Sequence, residues 1–243
     1  MAKSLIIIML MAACNIGDGQ TKSANPGEVG MDSAGLRQRF QFSHKTANPK
    51  AKKLMKEDFF WSPIEETAPF GSDDGSDAAY GFRDWRTSNK NTDPLVYIRE
   101  LVMRWGFPYF DLYEMDTTKI KAYMKTDAHA DDSDMSVLKQ NFRSIRVDTT
   151  RQISDSEINE AVKSAMKNMG ATYLLGQDNA VIGTAFAQLV LEGRVEPDLK
   201  KLSIVAIQRE LLPMLINRYE PAYQKTRRAQ LTKMLEVIRK CDS

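Results

Sequence analysis

Between Asp178 and Gly193 the chain reads Asn-Ala-Val-Ile-Gly-Thr-Ala-Phe-Ala-Gln-Leu-Val-Leu-Glu. A helix drawn through Ala180 to Glu192 is apolar on nearly every side. Such a helix has no face to offer water, so other elements must enclose it. It is also too short to cross a bilayer, which takes roughly 20 apolar residues. The rest of the chain must therefore supply amphipathic helices that pack around this one. Asp178 is read as its N-cap and Gly193 as its stop. Gly183, Ala185 and Ala187 let a neighbouring backbone come close.

The flanks provide those helices. Ser154 or Asp155 caps a segment whose stripe is Ile158, Ala161, Val162, Ala165, Met166 and Met169, ending at Gly170. Pro197-Asp198 opens another, with Leu199, Leu202, Val205 and Ala206 on one face, and Pro213 ends or kinks it. Residues 221–240 form a last helix that buries Leu231, Met234, Leu235 and Ile238. Upstream, Asn48-Pro49 and Asp93-Pro94 are cap-plus-proline starts. The first leads a helix over 49–58. The second leads one carrying Leu95, Ile98, Leu101, Val102 and Trp105 up to Gly106. A further helical pattern runs from Asp77 to about Thr87, with Ala78, Tyr80, Phe82 and Trp85 as packing residues.

Residues 62–76 are broken by Pro63, Pro69, Gly71 and Gly75 and read as irregular. Short strands or helix fragments both fit 107–126, and Phe142 to Val147 alternates like a short edge strand. The expected class is mainly α: a helical domain over 36–243 with a long irregular Pro/Gly-rich loop and room for a minor short β-hairpin. A weak lobe boundary falls near 127–134. No fixed-period repeat or sustained heptad is present.

The N-terminus has a different logic. Lys3 is followed by nine apolar residues, Leu5 to Ala13, and then Cys14. That is the form of a signal peptide over 1–13. The run Leu10-Met11-Ala12-Ala13-Cys14 resembles the lipobox of bacterial lipoproteins. The resemblance implies cleavage before Cys14, lipid attachment at Cys14, and an extracytoplasmic, membrane-anchored protein. An uncleaved N-terminus on a cytoplasmic protein is the alternative. Residues 14–35, rich in Gly, Ser and Asn, read as a flexible tether. The second of the two cysteines, Cys241, is then a lone thiol at a helix end, with no histidine near it in sequence to activate it.

The most distinctive stretch runs from Phe59 to Trp85. It contains Trp61-Ser62-Pro63, Glu65-Glu66 and Pro69-Phe70-Gly71-Ser72-Asp73-Asp74-Gly75-Ser76-Asp77. This run resembles a segment of the uncharacterised YfeS-like bacterial proteins, where a similar Pro-Phe-Gly-Ser/Asn-Asp run leads into a helix bearing a Trp. The resemblance implies a family label and no activity. Asp73, Asp74 and Asp77, with Glu65 and Glu66, supply the oxygen ligands that Ca²⁺ or Mg²⁺ takes, but their spacing does not fit the calcium-loop template. The simpler reading is that Ser and Asp here cap a helix and complement its dipole. In that case Trp61 and Phe70 pin the loop to the core. As a partner-binding loop, the same stretch would present Trp61, Phe70, Asp73, Asp77 and Trp85.

A second acidic cluster, Asp127, His129, Asp131, Asp132 and Asp134, reads as a solvated turn or as a divalent-metal site. From Lys200 onward ten Lys/Arg face four Asp/Glu, with Tyr219 and Tyr223 beside Lys225, Arg227 and Arg228. A solvated helix face accounts for this, and export makes nucleic acid the weakest alternative. A net charge of +2 argues the same way. No catalytic triad, P-loop, dinucleotide fingerprint or His-Glu-x-x-His motif occurs. The sequence therefore points to a lipid-anchored, non-catalytic binding protein of the cell envelope, with no cofactor and a protein or envelope component as partner. A metal-dependent hydrolase built on Asp73, Asp74 and Asp77 is the alternative.

Overall fold

The apolar run is the inner half of a longer helix. The computed structural model describes residues 42–128 and 154–243, with 136, 137, 139 and 140 between them. The signal segment, Cys14, the tether, the 142–147 strand and the cluster members His129, Asp131, Asp132 and Asp134 lie outside the described residues. In chain order the helices are α1 Pro49–Leu54, α2 Asp73–Ser88, α3 Pro94–Arg104, α4 Thr117–Met124 and α5 Asp155–Met166. They continue with α6 Gly170–Glu192, α7 Pro197–Glu210, α8 Pro213–Ile216 and α9 Pro221–Lys240. A 3₁₀ turn, Asp58–Trp61, follows α1. The fold is mainly α, and no strand occurs among the described residues.

Helix α6 is the axis. It begins at Gly170, eight residues before the expected cap, and Asp178 is an interior position of it, fully buried. The cap assignment fails because the apolar surface continues backward through Leu174 and Ala171. The start is fixed by backbone instead: Gly170 N–H donates to Thr126 O at 2.8 Å, and a Cβ at Gly170 would collide with Tyr123 O. At the other end Gly193 stops the helix with φ 73°, as expected.

Helix α2 lies against α6 along its length, with α7 on another side and α3, α4 and α1 completing the shell. Gly75 and Gly183 set the α2–α6 crossing, since a Cβ on Gly183 would meet the Gly75 carbonyl. That close approach accounts for a glycine in the first turn of α2, where it otherwise weakens a helix. It also explains why α2 starts at Asp73 and not at Asp77. Ser72 caps it by accepting the Gly75 N–H at 3.1 Å. Phe60, Phe82, Ile98, Phe186, Leu199 and Ile207 fill the core, each fully buried or nearly so. Burial of each such side chain contributes roughly 1.5–3 kcal/mol.

Other ends follow the sequence signals. Asn48 accepts from Lys50 N–H, Asp93 from Leu95 N–H, and Ser154 forms a capping box with Glu157. Helix α1 stops at Leu54, short of residue 58, because Phe60 turns into the core. The 107–126 stretch resolves into an irregular segment followed by α4, capped by Asp116. Cys241 is buried, its thiol donates to Ile238 O at 3.1 Å, and burial pushes its pKa up.

Candidate functional site

The interior holds charges that an apolar core tolerates only when paired. Asp178 and Arg209 are both fully buried and ion-paired, with Arg209 Nε donating to Asp178 Oδ2 at 3.1 Å and Nη2 to Oδ1. Burial pushes the Asp178 carboxyl above the usual carboxylate range, while the guanidinium pulls against that rise. The remaining Arg209 donor reaches outward: Nη1 donates to Leu112 O and Glu114 O, both at 2.9 Å. Arg209 thus clamps the irregular 107–114 segment from behind. Its guanidinium also lies 5.3 Å from the Phe110 ring centroid.

A second tie holds the start of that segment. Gln177 Nε2 donates to the Tyr123 hydroxyl at 2.9 Å, and Tyr123 donates to Pro108 O at 2.8 Å. The segment therefore hangs on α6, α4 and α7 at both of its ends.

Between this segment and α3 lies a cavity of about 420 Å³. Leu95, Ile98, Val102, Phe107, Phe110 and Leu202 make its apolar lining. Polar groups are few: Gln177 in the wall, with Arg99 and Asp111 also lining it. Met103 and Tyr109, which line the cavity too, are 79% and 90% exposed. Exposed apolar side chains continuous with an apolar hollow make this the candidate binding surface. Sequence reading passed over this site. Its one available signal was Asp178, the lone acid in an otherwise uncharged stretch from Gly170 to Leu191. A charge there demands a buried partner.

The residues that sequence singled out lie elsewhere. Phe70 is buried and stacks on Phe42 at 4.6 Å. Trp61 is half-buried, donating its indole N–H to Met55 O at 3.0 Å and meeting His44 edge-on at 5.5 Å. Trp85 packs against Phe82 and Tyr97, with ring centroids 6.0 Å and 5.5 Å away. No ring contact joins these three to one another among the described residues. Asp73 and Asp77 are exposed on the first turn and a half of α2. Asp74 faces α6, where a Cβ on Gly176 would lie 3.1 Å from its Oδ2. Burial, then the charges of Asp73 and Asp77, push Asp74 up to about 6. Glu65 accepts from Gln230 Nε2 at 3.1 Å. Among the described residues no three His, Cys, Asp or Glu side chains gather as a metal site. Asp127 accepts the Asn168 N–H at 2.9 Å and ties the end of the α4 region to the start of α6.

The C-terminal basic set divides. Arg209 and Arg227 are interior, and Arg227 pairs with Glu210 at 2.6 Å, donates to Thr67 Oγ1 at 3.2 Å and lies 4.4 Å from the Tyr219 ring centroid. Tyr223 shares a 2.7 Å hydroxyl hydrogen bond with Thr67. These groups fasten the 62–72 loop to α9 and do not form a surface patch. No helix among the described residues is long and apolar enough to cross a membrane. No protein-family model matches the chain, and neither a curated protein nor a solved structure does.

Proposed function

We propose that this chain is a lipid-anchored protein of the cell envelope that works by binding, without catalysis, through the cavity between α3 and the 107–114 segment. The cavity carries the reading. It is apolar inside, carries exposed apolar side chains on Met103 and Tyr109, and is braced by a buried ion pair. A volume near 420 Å³ falls in the ordinary range for small-ligand sites, about 300–1,000 Å³. A braced wall also lowers the ordering entropy that binding would otherwise have to offset. The anchor reading rests on Lys3, the Leu5–Ala13 run and Cys14, and the resemblance to YfeS-like proteins rests on the Pro69–Asp77 run.

Two measurements test this. Titration with the neutral fluorophore N-phenyl-1-naphthylamine gives saturable binding, which Val102→Phe weakens by projecting a ring into the cavity. Unsaturable binding, or binding that Val102→Phe leaves intact, removes the cavity from the account. Mass spectrometry of native protein gives a chain that begins at an acylated Cys14. An intact Met1 removes the anchor.

A further inference from the structure

The polar groups that line the cavity, Arg99, Asp111 and Gln177, bear on what it binds. Arg99 is exposed on α3, and Asp111 is exposed on the facing segment. Neither belongs to an ion pair among the described residues, with each other or with a third group. Asp111 Oδ1 accepts only the Tyr113 N–H, at 2.9 Å. A cation on one wall and an anion on the other, left unpaired, is complementary to a ligand that carries both signs. Gln177, 1% exposed, spends its Nε2 on Tyr123 and on Tyr173 O, and its Oε1 takes part in no hydrogen bond among the described residues. Because Gln177 lines the cavity, that oxygen is an acceptor for a ligand hydroxyl.

A cavity of about 420 Å³ lies at the lower end of the ordinary small-ligand range, about 300–1,000 Å³, which suits a ligand with one apolar chain.

We infer that the cavity takes the chain of a single-chain zwitterionic amphiphile, with its phosphate on Arg99, its ammonium on Asp111 and its glycerol hydroxyl on Gln177. A lysophospholipid with an ethanolamine head has this chemistry. The inference rests on the binding reading above and names the ligand class for the same cavity.

The test uses the full chain. The neutral fluorophore reports occupancy, and the competitors are a lysophosphatidylethanolamine, a fatty acid and an alkylamine, matched in chain length. The zwitterion displaces the fluorophore at about tenfold lower concentration than either singly charged amphiphile, since it alone satisfies both walls. Arg99→Gln cuts its advantage over the alkylamine severalfold, and Asp111→Asn cuts its advantage over the fatty acid likewise, the remainder being the contact of its glycerol hydroxyl with Gln177. Both positions are exposed, so folding is not at stake. Equal displacement by all three, or no effect of either substitution, overturns the zwitterion assignment while leaving the cavity a binding site. Failure of the fluorophore itself to bind overturns both. Displacement by an apolar peptide in preference to all three amphiphiles also overturns the assignment.

Discussion

Removal of the buried partner of Arg209 is the sharpest perturbation of this fold. Asp178→Leu keeps the apolar surroundings but leaves a fully buried guanidinium hydrogen-bonded only to two carbonyls, with the charge of Glu210, itself paired to Arg227, near it. Breaking a buried pair from one side destabilises by about 3–5 kcal/mol. A domain of this size has roughly 5–15 kcal/mol in all, so the variant stands near the edge of folding. Arg209→Met has a different effect. Asp178 can then take up a proton, which its burial already favours, so the loss is smaller, about 2–3 kcal/mol. The double variant Asp178→Leu/Arg209→Met removes both charges and recovers most of the stability, with a coupling of about 2 kcal/mol or more. It does not restore the wall, because Leu112 O and Glu114 O still lack their donor. Urea midpoints read the first quantity and fluorophore affinity the second. Additive single effects would refute the pair as a coupled unit. A double variant that binds the fluorophore like the wild type would refute Arg209 as the brace of the cavity.

Three further outcomes follow from local geometry. Gly183→Ala forces α2 away from α6, because the new methyl meets the Gly75 carbonyl. It lowers stability by about 1–3 kcal/mol in urea denaturation, and an unchanged midpoint would show that the crossing is loose. Asp74 has its folded pKa raised from 3.8 to about 6, so the fold favours its protonated form. Its contribution is full below pH 3.8 and is lost as pH rises through 6, on the order of 3 kcal/mol. The midpoint difference between Asp74→Asn and wild type therefore grows in favour of the variant between pH 4 and pH 7, and a constant difference would contradict the assignment. Ser72→Ala removes the acceptor for Gly75 N–H and costs about 1 kcal/mol by the same measurement; no change would mean that solvent caps α2 equally well.

Local signals were legible in the sequence, and pairings between distant segments were not. The helix starts at Pro49, Pro94 and Pro197 were readable because a proline at the first turn needs no partner elsewhere. The buried axis was readable because no arrangement leaves Val181, Phe186 and Leu189 in water. Asp178 was misread because a cap and a buried ion-pair member look alike until Arg209, 31 residues on, is brought beside it. The Gly75 position in α2 was misread for the same reason, since only the contact with Gly183 explains it. The cavity is a product of three such non-local ties, Arg209 to Leu112 and Glu114, Tyr123 to Pro108, and Gln177 to Tyr123. None leaves a local pattern. The aromatic residues of the 59–85 stretch drew attention by composition, but composition does not separate a packed anchor such as Phe70 from an exposed one such as Tyr109.

Methionine methyl NMR tests the proposed role of the cavity most directly. Met103 is an exposed lining residue of the cavity, while Met234 is 1% exposed in the core. With methyl-labelled methionine, titration with N-phenyl-1-naphthylamine shifts the Met103 resonance saturably and leaves Met234 in place. A Met103 signal that does not move, or equal movement of both, contradicts the cavity as the binding site.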